Sequence, residues 1–183
     1  NVKNIISFGS YWQFYSLNSK FSPANLYACT KQTIFTIAQH YLNNNKISHL
    51  QLIISDTYGT NDVRKKIINI LLKINKKQKL IINSPNTKMY PLYIEDVCRA
   101  VNHSIKYMFK QKKPFNKQFS IRSSKSIKVF VLVNKISKLR RINLNDFITY
   151  GKKINNKVFT GKIIRLPFWK PKYELNEGLS KFG

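Results

Sequence analysis

Two short apolar runs flank a long amphipathic stretch near the start of the chain, and this order constrains the fold more than any other feature. Val2 to Phe8 (VKNIISF) reads as a buried strand ending at Gly9-Ser10, and His49 to Ile54 (HLQLII) reads as a second strand. Between them, Ser22 to about Leu42 reads as a helix. Ser22 offers an N-cap oxygen, and Pro23 follows where no N–H is needed. Ile34, Ile37, Ala38, Tyr41 and Leu42 recur at three- and four-residue steps, which predicts a buried stripe. Asn43-Asn44-Asn45 then ends the helix. Strand, long helix and strand make a right-handed βαβ unit with parallel strands, so the expected class is α/β.

Further along, Ser55 to Gly59 forms a turn at the carboxyl end of the second strand. A helix is expected from Asp62, with Val63, Ile67, Ile70, Leu71 and Ile74 inward, and then a strand over Lys79 to Ile82. Leu92 to Ile94 is extended. Glu95-Asp96 opens a helix with acidic side chains at its positive end and Val97, Ala100, Val101 and Ile105 inward. A strand over Phe115 to Arg122, a helix over Ser126 to Leu139, a strand near Leu144 to Ile148 and one short final helix complete the pattern. There is no repeat and no disordered linker, so the elements are expected to form one continuous body.

The 183 residues suffice for one domain, or for one domain plus part of another. A hydrophobic content of 43% supports a packed core, and no apolar run reaches membrane-spanning length. No signal peptide is visible at Asn1-Val2-Lys3-Asn4, and no initiator Met, so a segment of a longer protein is expected. The net charge of +26 would ordinarily point to nucleic acid. The lysines, however, come with Asn and Ile along the whole chain rather than on one arm, which reads as compositional drift and weighs against a nucleic-acid partner. Cys29 and Cys98 are isolated, with no metal-ligand spacing, and fit reduced thiols in a cytoplasmic protein. No metal site is expected, and His40, His49 and His103 lie in unrelated contexts.

Tyr27 and Lys31 are four residues apart and share one helix face. A phenol is a poor base at neutral pH, and an ammonium one turn away favours its ionised form, bringing it nearer to acid/base work. Ser10 ends the preceding strand, and Asp56 and Thr57 follow the next one. Open parallel sheets bind ligands at those carboxyl ends. Together these groups suit proton transfer at a sugar hydroxyl while a cofactor exchanges hydride. Each residue also has a plainer reading: Tyr27 and Lys31 as a packed Tyr and an exposed Lys, Ser10 as a turn residue, Arg64 and Lys66 as a solvated basic face.

The stretches NVKNIISFGS, YWQFY, SPANLYACTKQ, DTYGTNDVRKKIINILL, YPLYIEDVCRAV and LPFWKPKYELNEGL stand in an order that resembles the C-terminal part of extended short-chain dehydrogenase/reductases of the NAD-dependent epimerase/dehydratase family. The YWQ and DTYG-x-x-D-x-R-x-K forms are similar to the branch making dideoxy sugars on CDP, the CDP-abequose and CDP-paratose synthases. The resemblance implies part of a Rossmann-like doubly wound parallel sheet with a small α/β substrate-binding region. Residues 1–60 would belong to the cofactor and catalytic domain, and residues 61–183 mainly to the substrate region, with elements returning to the core.

The resemblance also implies roles. Tyr27 would be the acid/base. Lys31 would assist it and, with Tyr27, hold the nicotinamide ribose. Ser10 would orient the reacting oxygen. Asp56 and Thr57 would line the nicotinamide pocket. Trp12, Gln13, Tyr58, Arg64 and Lys66 would meet the nucleotide sugar, with Arg64 and Lys66 at its diphosphate. Asp96 would be structural. The cofactor would be NAD or NADP, and the full-length enzyme a homodimer. No acidic pair flanks Ser10, so ketoreduction or epimerisation is favoured over dehydration. The glycine-rich pyrophosphate loop has no counterpart among the six scattered glycines, so tight nicotinamide binding and turnover are not expected of these residues alone. The rival readings are a basic nucleic-acid-binding module and an inactive truncated remnant.

Overall fold

A computed structural model describes residues 2–14, 21–45, 47–151 and 163–182. In chain order the elements are β1 (Asn4–Ser10), α1 (Leu26–Asn45), β2 (Ser48–Ile54), β3 (Thr57–Tyr58), α2 (Ile67–Lys73), β4 (Leu80–Ile82), β5 (Lys88–Met89) and β6 (Leu92–Tyr93). Next come α3 (Ile94–Phe109), β7 (Asn116–Ile121), β8 (Ile127–Lys128), α4 (Val129–Arg140), β9 (Ile148–Tyr150) and α5 (Leu175–Ser180). A 3-10 turn, Tyr11–Gln13, directly follows β1.

The expected βαβ unit forms. β1 and β2 pair in parallel from Asn4↔Ser48 to Ser10↔Ile54, and β7 adds to β2 in parallel, giving the order β1-β2-β7. Leu50 and Leu52 of β2 face α3, where Val97, Ala100, Met108, Phe115, Phe119, Ile121, Leu166 and Trp169 close an apolar core. The opposite sheet face is largely polar, with Ile5 and Ile53 its apolar members. There Ser7, His49, Gln51, Asn116 and Gln118 lie beneath α1.

That polar face overturns the expected helix orientation. Ile34, Ile37 and Tyr41 were expected to be buried and are instead exposed, at 42%, 52% and 49%. Buried amides and imidazoles need hydrogen-bond partners. α1 therefore turns its Ala28–Gln32–Phe35–Gln39 side to the sheet, so Ile34, Ile37 and Tyr41 face outward while Ala38 and Leu42 are half-buried. The helix also starts later than expected. Asn25 Oδ1 accepts the Ala28 N–H at 3.0 Å and serves as the cap. Ser22 instead donates its N–H to the Gln13 carbonyl at 2.9 Å and bridges to Phe14.

A second core gathers α2, α4, α5, β4 and β9 around Leu71, Leu132, Ile136, Leu144 and Leu179. α2 is shorter than expected and leaves Val63 88% exposed. Asn69 Nδ2 donates to the Asp62 and Arg64 carbonyls at 3.1 and 3.0 Å, which holds 62–66 in a non-helical turn. Leu144–Asp146 is a 3-10 turn rather than a strand, and β9 follows it. In α3, Ser104 and Met108 are buried and Ile105 is 41% exposed, the reverse of the expected placement of Ile105. Buried Asp96 accepts the Lys172 and Tyr173 N–H groups at 2.7 and 3.0 Å, tying α3 to the C-terminal segment. No helix among the described residues is long and apolar enough to cross a membrane.

His49 links all three strands of the first sheet. Its Nδ1 lies 2.7 Å from Asn116 Oδ1 and its Nε2 lies 2.8 Å from Ser7 Oγ. Asn116 Nδ2 already donates to Phe35 O and Gln39 Oε1, so Nδ1–H is the donor to Asn116 and Nε2 accepts from Ser7. Burial lowers the pKa of this imidazole. The unfolded chain takes up a proton at pH about 6.5 while the folded chain resists it. Stability is then full above that pH and falls as pH drops below it, by up to about 1.4 kcal/mol per pH unit. Urea unfolding at several pH values should show this slope, and His49→Gln should remove it. Packing at the end of β1 gives a second expectation. A Cβ at Gly9 would press on Ile53 Cδ1 and lie 2.5 Å from Gln13 Oε1. Gly9→Ala should destabilise the fold by roughly 1–3 kcal/mol, read from the denaturation midpoint.

Candidate functional site

The carboxyl ends of β1 and β2, the first turn of α1 and the turn before α2 surround one cavity of about 330 Å3. Ser10, Trp12, Tyr27, Asp56, Thr57, Arg64 and Lys66 all line it, together with Tyr11, Asn25 and Ser55. Seven residues distributed over fifty-odd positions of sequence therefore converge, because parallel pairing brings both strand ends to one side.

Ser10 is pinned in place. Its Oγ accepts the Trp12 N–H at 3.3 Å, and its own N–H donates to Gln13 Oε1 at 2.7 Å, which leaves the hydroxyl proton to donate into the cavity. Tyr27 stands half-exposed at the cavity edge on the first turn of α1. The Lys31 Nζ lies 5.5 Å from the centre of its ring, so the four-residue spacing does bring the ammonium to the phenol. Lys31 itself does not line the cavity in this structure.

Asp56 brings a carboxyl from the end of β2. Burial pushes its pKa up, against the opposing pull of the Lys66 ammonium and the Tyr90 backbone N–H. Its main-chain oxygen accepts the Leu92 N–H at 2.8 Å, which fixes the turn. Arg64 is held on two sides. Nε and Nη2 donate to the two Asp62 carboxylate oxygens at 2.7 and 2.8 Å, and Nη2 also donates to Thr57 Oγ1 at 3.0 Å. The guanidinium holds the Asp62 carboxyl well below the usual carboxylate range. Nη1 is the guanidinium nitrogen without a partner among the described residues.

Two residues expected at the ligand lie elsewhere. Gln13 is fully buried behind Ser10, with its amide taken up by Ser10, Gln32 and Gln51. Tyr58 is 1% exposed, packs on Tyr93 and Phe182, and sets its hydroxyl against Gly178 and the Leu175 carbonyl. The alternation of β3 explains this: Thr57 faces the cavity, so its neighbour Tyr58 faces the second core. Sequence reasoning also passed over Gln32, Gln51 and Gln118, which dock α1 behind the cavity. The available signal was a glutamine in the middle of an otherwise apolar strand, HLQLII. Trp169 packs in the α3 core, away from the cavity.

Residues 13–116 match the NAD dependent epimerase/dehydratase family. Over 102 residues the chain is 29% identical to the CDP-abequose synthase of Yersinia pseudotuberculosis, a match that covers 55% of this chain and 36% of that protein. The fold is similar to that of dTDP-glucose 4,6-dehydratase from Bacillus anthracis in complex with NAD, with a TM-score of 0.78 and 18% identity over 98% of this chain and 60% of that one. It is likewise similar to UDP-glucose 4-epimerase from Thermotoga maritima, with a TM-score of 0.77 and 16% identity over 100% of this chain and 63% of that one. The chain thus spans about a third of the length of that curated relative and about three fifths of those solved structures. With its matching stretch running from the turn after β1 to the start of β7, the chain belongs to the NAD dependent epimerase/dehydratase family.

Proposed function

We propose that the complete protein is an NAD(P)-dependent oxidoreductase or epimerase acting on a nucleotide sugar, and that the cavity at the ends of β1 and β2 is its reaction site. The observation that carries this reading is the convergence of Ser10, Tyr27, Asp56 and Thr57 on one cavity, with Lys31 beside the Tyr27 ring. The donor set suits a nicotinamide nucleotide: the Lys31 ammonium and Tyr27 hydroxyl would hold its ribose, and Asp56 and Thr57 would line the ring. Hydride exchange with a sugar carbon is the chemistry such a cofactor supplies when bound. The protein's own part is proton transfer. Ser10 donates a hydrogen bond to the reacting sugar oxygen, and Tyr27 gives or takes the proton on that oxygen as the carbon changes oxidation state.

The finer reading is 4-ketoreduction or epimerisation on a CDP-linked sugar. The 29% identity to a CDP-abequose synthase supports the nucleotide. Dehydration is disfavoured because no acidic pair stands beside Ser10 in Gly9-Ser10-Tyr11-Trp12. Arg64 and Lys66 line the cavity, which supports a role for them at the diphosphate, with the open Arg64 Nη1 as a donor. A homodimer is supported by the outward Ile34, Ile37 and Tyr41 stripe of α1, which a partner subunit would cover. The free thiols of Cys29 and Cys98 suit a cytoplasmic enzyme.

Tyr27→Phe in the complete protein should lower kcat about 10²- to 10⁴-fold, the usual scale of a lost acid/base. Its stability should stay within about 0.5 kcal/mol, as for an exposed position. Reduction of a CDP-linked 4-keto-hexose by NAD(P)H, followed by nicotinamide absorbance, measures the first, and thermal unfolding measures the second. Near-normal turnover in this variant would overturn the assignment.

A further inference from the structure

Ser10 and Lys31 lie on different elements, and a directed chain of side-chain amides joins their main chains. The Ser10 N–H donates to Gln13 Oε1 at 2.7 Å, Gln13 Nε2 donates to Gln51 Oε1 at 3.3 Å, and Gln51 Nε2 donates to the Lys31 carbonyl at 2.9 Å. The two ends set the direction. An N–H at Ser10 requires an oxygen on Gln13, and a carbonyl at Lys31 requires an NH2 on Gln51, so the two amides meet donor to acceptor. Gln118 reinforces the middle by donating to Gln51 Oε1 at 2.8 Å and to Gln32 Oε1 at 3.0 Å, and Gln13 Nε2 also donates to Gln32 at 2.8 Å. Gln13 and Gln51 are both fully buried, and neither lines the cavity.

We propose that Gln13 and Gln51 are positioning residues that fix the spacing between Ser10 on β1 and the Tyr27–Lys31 turn of α1. The proposal rests on the catalytic reading above. Both Nε2 protons of Gln13 are committed, and its oxygen holds Ser10, so its amide has no donor left for a ligand. Its action on the reaction therefore runs through Ser10 and α1. Because the chain has a direction, a carboxylate cannot replace either amide. At position 13 it would keep the bond from Ser10 and set a second oxygen against the oxygens of Gln51 and Gln32. A protonated carboxyl would restore one donor, so Gln13→Glu should recover function where its carboxyl is neutral. Burial raises a carboxyl pKa by several units, which places that recovery near neutral pH.

The test uses the complete protein with a CDP-linked 4-keto-hexose and NAD(P)H. Gln13→Leu and Gln13→Glu should each lower kcat by about 10- to 100-fold at pH about 8, since a displacement near 1 Å has that effect. KM for the nucleotide sugar should change by less than about threefold, because neither side chain touches it. Relative to wild type, Gln13→Glu should regain activity as pH falls from about 8 to about 6, and Gln13→Leu should not. Retention of kcat within about twofold in Gln13→Leu, a rise in KM with kcat unchanged, or no acid recovery in Gln13→Glu each overturns the proposal. If either variant fails to fold, Gln118→Met decides: lowered kcat with unchanged KM supports the amide chain, and unchanged kcat overturns it. An active Tyr27→Phe enzyme would remove the catalytic reading itself. An inactive Tyr27→Phe enzyme beside a fully active Gln13→Leu enzyme would remove the positioning proposal alone.

Discussion

The hydrogen-bonded layer between α1 and the sheet is the constraint on which the site depends. Most helices sit on sheets through interdigitated aliphatics, and such contacts allow small slides and rotations at little energetic cost. Here Ser7, His49, Gln51, Asn116 and Gln118 of the sheet meet Gln32, Phe35 and Gln39 of α1. Each of these polar groups, left buried without a partner, costs about 1–3 kcal/mol. One register of α1 satisfies them together, so a small rotation of the helix loses several bonds at once. That register carries Tyr27, on the first turn, to the cavity edge where Ser10 ends β1. The sheet face toward α3 is wholly different in kind, an apolar core that supplies burial rather than direction.

Charge at the cavity is locally balanced although the chain as a whole is not. Against 33 basic residues there are seven acidic ones, and two of these act on cations that line the cavity. The Lys66 ammonium pulls on the Asp56 carboxyl and Asp62 grips Arg64, while Asp96, away from the cavity, binds the main chain of Lys172 and Tyr173. Asp62 orients the Arg64 fork and leaves one nitrogen open, so the cation is presented in one direction instead of sweeping through solvent. The surplus lysines elsewhere do not alter this pairing, since screened charges more than about 10 Å apart interact little.

Much of the site was legible from sequence because it depends on order along the chain. Strand, helix and strand imply parallel pairing, and parallel pairing implies that Ser10 and Asp56-Thr57 emerge at one end. The Tyr27–Lys31 spacing needs only helical geometry. What sequence could not supply was the identity of the partner facing each element. The stripe of Ile34, Ile37 and Tyr41 has helical spacing, and spacing has no address: it is outward here because the face beneath α1 is polar. Val63 looked like the first apolar residue of a helix, but the bonds from Asn69 to Asp62 and Arg64 outweigh its propensity. Gln13 and Tyr58 look like ligand contacts by proximity in sequence, but the 3-10 turn tucks Gln13 behind Ser10 and strand alternation turns Tyr58 into the second core.

A nucleotide sugar is proposed to react in the cavity between Ser10 and Tyr27. A crystal structure of the complete protein with a nicotinamide cofactor and a CDP-sugar tests it most directly. One sugar oxygen should lie within about 2.6–3.2 Å of both the Ser10 Oγ and the Tyr27 hydroxyl. A sugar seated instead in the separate cavity bounded by Thr60, Arg140 and Phe182, with Ser10 and Tyr27 facing solvent, would contradict it.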